Sequence, residues 1–192
     1  MSRIDRSMME SVFEAEELIT LDEDALMAIP HEPTRAFLRD IGLPGQFDTW
    51  LQLDGPLADE GVVTIVDAAG AAELAAKYPG FGVDTSRWMS IGAIGLDSFA
   101  LDVENGTMYC VPESGAQPCV LNSGIEAFAY FLYALEVERP NYDLEVAEGP
   151  IVGNAEDRLQ ALMEEVDPVA LASPDSTWYL VLENVKHLLD YR

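Results

Sequence analysis

The 192-residue chain is 49% hydrophobic and 9% aromatic, which is enough apolar surface to build one folded domain with a real core. Its 35 acidic residues outnumber its ten lysines and arginines, and the formal net charge at pH 7 is −25. This charge argues against direct binding to nucleic acid or to an anionic membrane surface, because lysine and arginine supply the affinity for phosphates. The acids either keep the protein soluble or attract a basic partner, and the charge does not decide between these roles.

The first 30 residues form an acidic, moderately amphipathic segment, in which we expect a helix up to Glu17 and an extended piece from Leu18 to Leu21. This segment has no continuous apolar stretch of the kind found in a secretory signal. No apolar run in the chain approaches the roughly 18 residues that a membrane-spanning helix needs. We therefore expect a cytoplasmic protein. Its acidic N-terminal extension, residues 1–30, would pack on or lead into a domain of residues 31–192.

The segment HEPTRAFLRDIGLP predicts a helix that begins near Pro33 and ends before Gly42, with Pro44 preventing its continuation. Residues 46–53 are expected to form a strand or an irregular segment. The β-branched residues of 61–66 predict a strand. The alanine-rich residues after them predict a short helix that ends at Tyr78-Pro79-Gly80.

Asn105-Gly106 predicts the turn of a β-hairpin, because a type I′ turn needs positive φ at both central residues and Asn-Gly tolerates that conformation. Such a turn would create two cross-strand pairs, Val103 with Met108 and Leu101 with Cys110. It would also place five apolar residues on one face of the hairpin: Phe99, Leu101, Val103, Met108 and Cys110. Asp102 and Tyr109 would then point to the other face.

A helix is predicted after the hairpin, where Ser123 to Glu126 fits a capping box. Apolar residues recur at helical spacing up to Pro140 and are expected to cover the apolar face of the sheet: Ile125, Phe128, Leu132 and Leu135. An acidic loop over residues 141–152 would lead to a helix over 155–166 and to a last helix that starts at Ser173-Pro174-Asp175. These elements predict an α+β fold, in which helices flank a mostly antiparallel sheet.

The two cysteines, Cys110 and Cys119, are too few for a disulfide framework or a four-ligand zinc site. A two-residue loop at Ser114-Gly115 would place them opposite each other, whereas Pro118 argues against that register because it lacks an N–H for the ladder. Two buried thiols are the first interpretation. A cross-strand disulfide remains the alternative.

Motifs for catalysis and for cofactor binding are missing from the sequence. The two histidines, His31 and His187, have no ligand-spaced partner, and there is no HExxH, GxSxG, GxxxxGK[ST] or GxGxxG motif. Pairs of acids are frequent, but a chain with this many carboxylates contains such pairs on any solvated face. We therefore predict no catalytic residue, no metal site and no cofactor.

Four segments follow one another along the chain: HEPTRAFLRDIGLP, SIGAIGLDSFALDVENGTMYCV, NSGIEAFAYFL, and a late Asp167-Pro168 followed by a helix that contains Trp178. In this order and spacing they resemble the SUKH superfamily, and most of all its fourth family of bacterial immunity proteins. The resemblance covers residues 31–192 and leaves residues 1–30 mostly outside. It implies a single SUKH-like α+β domain that binds and neutralises a polymorphic toxin without catalysis.

The first hypothesis is therefore an immunity protein for a cognate and basic toxin, such as a nuclease or a nucleic-acid deaminase domain. Two alternatives remain open: a regulatory or scaffold module of the same fold that binds other proteins, and an acidic mimic of nucleic acid. Candidate contacts are the acids on loops and strand ends of residues 31–192, taken as a group. These acids are Asp84, Asp97, Glu104, Asp143, Glu145 and Glu148.

Overall fold

A computed structural model describes residues 4–45, 50–147, 149, 151 and 153–188. Its α-helices are α1 (Arg6–Glu10), α2 (Glu23–Leu26), α3 (Glu32–Asp40), α4 (Gly55–Glu60), α5 (Ala68–Lys77), α6 (Ile125–Glu138), α7 (Ala155–Val166) and α8 (Thr177–His187). Its strands are β1 (Leu18–Ile19), β2 (Leu43–Pro44), β3 (Gln52–Leu53), β4 (Trp88–Ile94), β5 (Asp97–Asp102), β6 (Met108–Val111) and β7 (Cys119–Asn122).

The strands form two antiparallel sheets. One contains β1 and β2, and the other contains five strands in the order β3-β4-β5-β6-β7, so that neighbours in the sheet are also neighbours in the sequence. Helices lie on both sides of the larger sheet. The predicted α+β fold, with a mostly antiparallel sheet flanked by helices, is confirmed.

The larger hydrophobic cluster fills the space between one face of the five-stranded sheet and helices α6, α7 and α8. The ring of Phe128 contacts that of Phe99 at a centroid distance of 5.8 Å, and Phe131 contacts Trp178 at 5.2 Å. The predicted inward residues of α6 are all buried: Ile125, Phe128, Leu132 and Leu135. Helix α6 is therefore the main cover of this face.

The opposite face of the sheet carries a smaller aromatic cluster. Trp88 stacks on Tyr109 at a centroid distance of 4.8 Å, and the ring of Phe81 meets Trp88 edge-on at 5.7 Å. Leu74 of α5 packs against the same cluster. Both faces of the sheet are therefore covered.

Residues 4–30 share the main core with the rest of the chain. Met9 and Phe13 are buried in the larger cluster, and β1 pairs with β2 of the following segment. Arg6 also donates from Nη1 to the carbonyl oxygen of Ile41 at 2.8 Å. The predicted helix is shorter than expected, because α1 ends at Glu10 and a 3-10 turn follows at Ala15–Glu17.

The central hairpin has a longer loop than predicted. Leu101 faces Met108 and Phe99 faces Cys110, so both predicted pairs are wrong by two residues. Gly106 has a φ of +79°, but Asn105 does not have positive φ, so no type I′ turn forms. The longer loop is stabilised by the Asp102 carboxylate, which accepts the N–H of Glu104 and Nδ2 of Asn105, each at 2.9 Å.

The assignment of side chains to the two faces nevertheless holds. A shift of two residues keeps the side-chain alternation of a strand, whereas a shift of one would reverse it. The five apolar residues of the predicted face are therefore all in the larger cluster, and Tyr109 lies in the smaller one.

The predicted capping box at Ser123 to Glu126 is wrong, because α6 begins at Ile125 with Gly124 as N-cap and no side-chain cap. The backbone N–H of Ser123 instead donates to Asp167 at 2.8 Å. Asp167 also accepts from Asn122, whose side-chain oxygen accepts from Trp178 Nε1 at 3.0 Å. This buried polar network fixes the entry to α6 against the start of α8.

The predicted strand over residues 61–66 is reduced to a single bridge between Ile65 and Met89. Ser90 donates its N–H to Thr64 and Val66 donates to Trp88, at 3.0 and 2.8 Å. The segment therefore follows β4 without forming a regular strand. Part of the segment 46–53 is strand β3, and residues 46–49 lie outside the described residues.

Cys110 and Cys119 lie directly opposite each other on β6 and β7, and both are free thiols. The loop between the strands spans residues 112–118, so Pro118 precedes β7 and does not interrupt the ladder. The argument from Pro118 against this register is therefore wrong. The hydrogen bond between the thiols lowers the pKa of Cys119, whereas the same bond and burial raise the pKa of Cys110.

Candidate functional site

A groove of about 820 Å³ opens at the end of the large sheet where β4 turns into β5. The turn with Gly95 and Leu96 forms one wall, and the loop at residues 112–114 forms another. The exposed side of α8 lies across from them. The end of α6 and the turn after it close the groove, with Trp50 beside them. We call this site the α8 groove.

Asp97 joins three walls of the α8 groove. Its Oδ1 accepts the N–H of Glu113 at 3.0 Å, and its Oδ2 accepts the hydroxyl of Thr177 at 2.7 Å. Asp97 is the first residue of β5, Glu113 lies in the loop after β6, and Thr177 is the first residue of α8. The carboxylate therefore fixes the relative position of these elements.

The far wall is held by Tyr142, whose hydroxyl donates to the carbonyl oxygen of Leu135 at 3.0 Å and accepts from Trp50 Nε1 at 3.2 Å. Burial raises the pKa of the Tyr142 hydroxyl. This side of the groove is a fixed aromatic surface.

Exposed apolar side chains are concentrated in the α8 groove. Eight large apolar residues are exposed in the described part of the chain, and four of them line this groove. Leu96 is 75% exposed and Leu180 is 54% exposed, and they are joined by Tyr179 and Leu188. Exposed apolar residues grouped around one groove are typical of an interaction site, whereas single exposed apolar residues are not.

Carboxylates surround these apolar residues. Among the described residues that line the groove, one is a cation and six are acids: Asp97, Glu113, Glu136, Asp143, Asp175 and Glu183. The cation is Arg139, which donates from Nε to Asp143 at 2.9 Å and from Nη1 to Glu136 at 3.3 Å. The groove thus combines apolar contact surface with an excess of negative charge.

A second group of acids lies around Arg87, at the other end of β5. Arg87 donates to Glu104 at 2.9 Å and lies 3.6 Å from a carboxylate oxygen of Asp84. The charge of Asp102, followed by the hydrogen bond to Glu104, raises the pKa of Arg87. The hydrogen bond from the Ser86 hydroxyl lowers the pKa of Asp84. We call Asp84, Arg87, Asp102 and Glu104 the Arg87 cluster.

The structure divides the predicted contact acids between these places. Asp143 lines the α8 groove, and Glu145 is exposed just beyond it, while Asp84 and Glu104 belong to the Arg87 cluster. Asp97, also a predicted contact acid, is only 7% exposed, and its carboxylate accepts two internal hydrogen bonds. Glu148 lies outside the described residues.

Sequence reasoning missed the acids that α8 and its neighbouring loop contribute, namely Glu113, Asp175 and Glu183. A usable signal was present in Tyr179 and Leu180, which are large apolar residues on the exposed side of α8. Apolar residues on the polar side of an amphipathic helix indicate a second contact surface.

Three further observations concern the described residues. None of their His, Cys, Asp and Glu side chains form a group that could hold a metal ion. No helix that they form is long and apolar enough to cross a membrane. His31 is hydrogen-bonded through Nδ1 to the Thr34 hydroxyl at 2.8 Å, within the first turn of α3.

Comparison with known proteins gives one family. Neither the curated proteins nor the solved structures include a match. The sequence pattern of the SUKH-4 immunity protein family matches residues 4–184, which is most of the chain. The match begins at residue 4, so the segment before residue 31, which the resemblance left mostly outside, is part of the family pattern. The chain belongs to the SUKH-4 immunity protein family.

Proposed function

We propose that this protein protects a bacterial cell by binding the toxic domain of a cognate polymorphic toxin and covering its active site. Membership of the SUKH-4 immunity protein family is the observation that carries this proposal. The protein acts by occupying the toxin surface, and it needs no cofactor and no reaction of its own. It does so in the cytoplasm, where an incoming or newly made toxin would reach its target.

The partner is a basic protein, and a nuclease or nucleic-acid deaminase domain fits this description. Such enzymes bind phosphates through lysine and arginine, so a chain with a net charge of −25 is electrostatically complementary to their substrate clefts. The long-range field speeds encounter, and the exposed acids of the predicted contact group contribute to this field: Asp84, Glu104, Asp143 and Glu145. The protein itself does not bind nucleic acid.

A rescue experiment tests this function. A toxin gene with a variable C-terminal domain is expected next to the gene for this protein. Expression of that domain should stop growth, and co-expression of this chain should restore it. A folding-defective control with both Leu101→Ala and Phe128→Ala should not restore growth, since both side chains are fully buried. Failure to rescue cells from every neighbouring toxin candidate would contradict the proposal.

A further inference from the structure

We propose that the α8 groove is the docking site for the toxin, and that it takes a segment in which an apolar side chain is flanked by lysine or arginine. This inference rests on the proposed function, because it names the surface through which the toxin would be bound. Four observations support it: the exposed apolar residues, the unequal charge, the guanidinium that the groove already holds, and the fixed position of its walls.

The apolar residues supply the contact area. Leu96 stands on the β4–β5 turn and Leu180 on α8, so the two lie on different walls of one groove. An apolar side chain inserted between them would remove both from water. Burying such side chains stabilises a complex by about 25 cal/mol for each Å² of apolar surface, before the costs of association.

The carboxylates determine which kind of partner segment the groove prefers. Glu113 and Asp175 are exposed at the groove and form no ion pair with any described residue, while Glu183 lies 3.8 Å from His187. Acids at the rim of an apolar patch favour lysine and arginine on the partner and repel acidic segments. Among apolar partner segments, the rim acids therefore favour one that also carries lysine or arginine.

Arg139 shows that the groove accommodates a guanidinium. Its side chain lies in the wall of the groove and contacts Glu136 and Asp143 at once. An arginine of the partner has the same chemistry, because its aliphatic stem can lie on Tyr179 or Leu180 while its planar head reaches a carboxylate such as Glu183. Arginine is thus the residue that best matches this surface.

Asp97 makes the groove a fixed surface. Because its carboxylate joins the start of β5, the loop after β6 and the start of α8, the walls are positioned before a partner arrives. A preformed site lowers the entropy cost of binding. Asp97 is therefore a positioning residue and does not contact the toxin.

The test measures the Kd of the full-length chain for the purified toxin domain encoded by the neighbouring gene. Leu96→Ser and Leu180→Ser should each weaken binding at least tenfold, mainly through faster dissociation. Met27→Ser and Val62→Ser are matched controls, since Met27 is 76% exposed and Val62 is also exposed, and neither lines the groove. These controls should change Kd less than twofold, and all four melting temperatures should stay close to the wild-type value.

The outcomes separate the two proposals. If the wild-type chain neutralises the toxin domain but both groove variants bind it as tightly as the wild type does, the groove assignment is overturned and the proposed function stands. If the wild-type chain neither binds nor neutralises any neighbouring toxin domain, the proposed function fails and the groove assignment fails with it. Loss of binding in the groove variants, with intact controls, supports both.

Discussion

The two ends of strand β5 each carry a buried aspartate, and the two residues do different things. Asp97 accepts hydrogen bonds from Glu113 and Thr177, which belong to other elements. Asp102 accepts from Glu104 and Asn105 of its own hairpin loop and stands beside Arg87. The first joins the walls of a groove, whereas the second stabilises a local turn.

The surfaces around these aspartates differ in the same way. In the Arg87 cluster the acids share one guanidinium, and none of the exposed large apolar residues belongs to it. In the α8 groove, carboxylates stand beside Leu96, Tyr179, Leu180 and Leu188. We therefore propose that acidic residues mark an interface in this protein only where they accompany exposed apolar residues.

Both regions rest on the apolar face of the central hairpin, so core truncation should have the largest effect. Leu101→Ala and Phe128→Ala remove fully buried side chains and should each destabilise the protein by about 2–5 kcal/mol. Leu180→Ala at an exposed position is the control and should change stability by less than about 0.5 kcal/mol. Urea unfolding measures all three. Unchanged stability in both core variants would contradict the assignment of this face.

Substitution of each aspartate should show which of the two affects stability alone and which also affects binding to the toxin domain. Asp97→Ala removes the acceptor of the buried Thr177 hydroxyl, and Asp102→Ala removes the acceptor of the part-buried Glu104 N–H, so each should destabilise the protein by about 1–3 kcal/mol. Only Asp97→Ala should also weaken binding to the toxin domain, because it loosens the groove walls. Urea unfolding and calorimetric titration measure the two effects. Equal losses of affinity in both variants would remove the distinction between the two ends of β5.

Charge reversal should distinguish the α8 groove from the Arg87 cluster by its effect on the rate of association with the toxin domain. The triple variant Glu113→Lys, Asp175→Lys and Glu183→Lys should slow association with the toxin domain about tenfold or more at low salt, because rim charges act mainly on encounter. The control triple Glu14→Lys, Glu16→Lys and Glu60→Lys alters the net charge equally on exposed residues away from the groove. Reversal of Asp84 and Glu104 should slow association about as little as the control triple does.

Stopped-flow association rates at low and high salt measure these differences. The rates of the wild type and of the groove triple should converge as salt increases, since the Debye length falls to about 8 Å at 0.15 M. Rates that depend on neither salt nor reversal would mean that the acids serve solubility alone.

The smallest effect concerns the thiol pair beside the groove, where Cys110 contacts the hydroxyl of Thr177 at 3.0 Å. The hydrogen bond from Cys110 lowers the pKa of Cys119, so its reactive thiolate should form at a lower pH than in an ordinary cysteine. Alkylation of Cys119 should therefore accelerate and level off below about pH 8.5, the usual thiol pKa. Mass spectrometry of iodoacetamide-treated protein measures this, with Cys119→Ser as control. Faster alkylation of the buried Cys110 would contradict the assignment.

The fold was largely predictable because periodic patterns determine which face of an element is buried. Phe99, Leu101 and Met108 were assigned to the correct face even though the register was two residues off, since alternation survives an even shift. The turn type and the cap were not predictable in the same way. Both depend on carboxylates, Asp102 and Asp167, that lie outside the local motifs Asn105-Gly106 and Ser123 to Glu126.

The candidate site was less predictable, because a groove is made by elements that are distant in the sequence. Asp97 and Thr177 are 80 residues apart, and only the fold brings them to 2.7 Å. Because the chain has 35 acids, its sequence alone does not distinguish the few that line the groove from the rest. The exposed Leu180 on α8 was the clearest sequence signal, and it becomes meaningful once Leu96 is seen to line the same groove.

Hydrogen exchange of the full-length chain, with and without the toxin domain from the neighbouring gene, tests the central claim most directly. We expect slower exchange in the complex over residues 94–97, 112–114 and 174–188, which contribute to the walls of the α8 groove. Exchange over residues 84–87 and 102–106 should stay unchanged, because the Arg87 cluster lies at the other end of β5. Protection of the Arg87 cluster without protection of the groove would contradict this account.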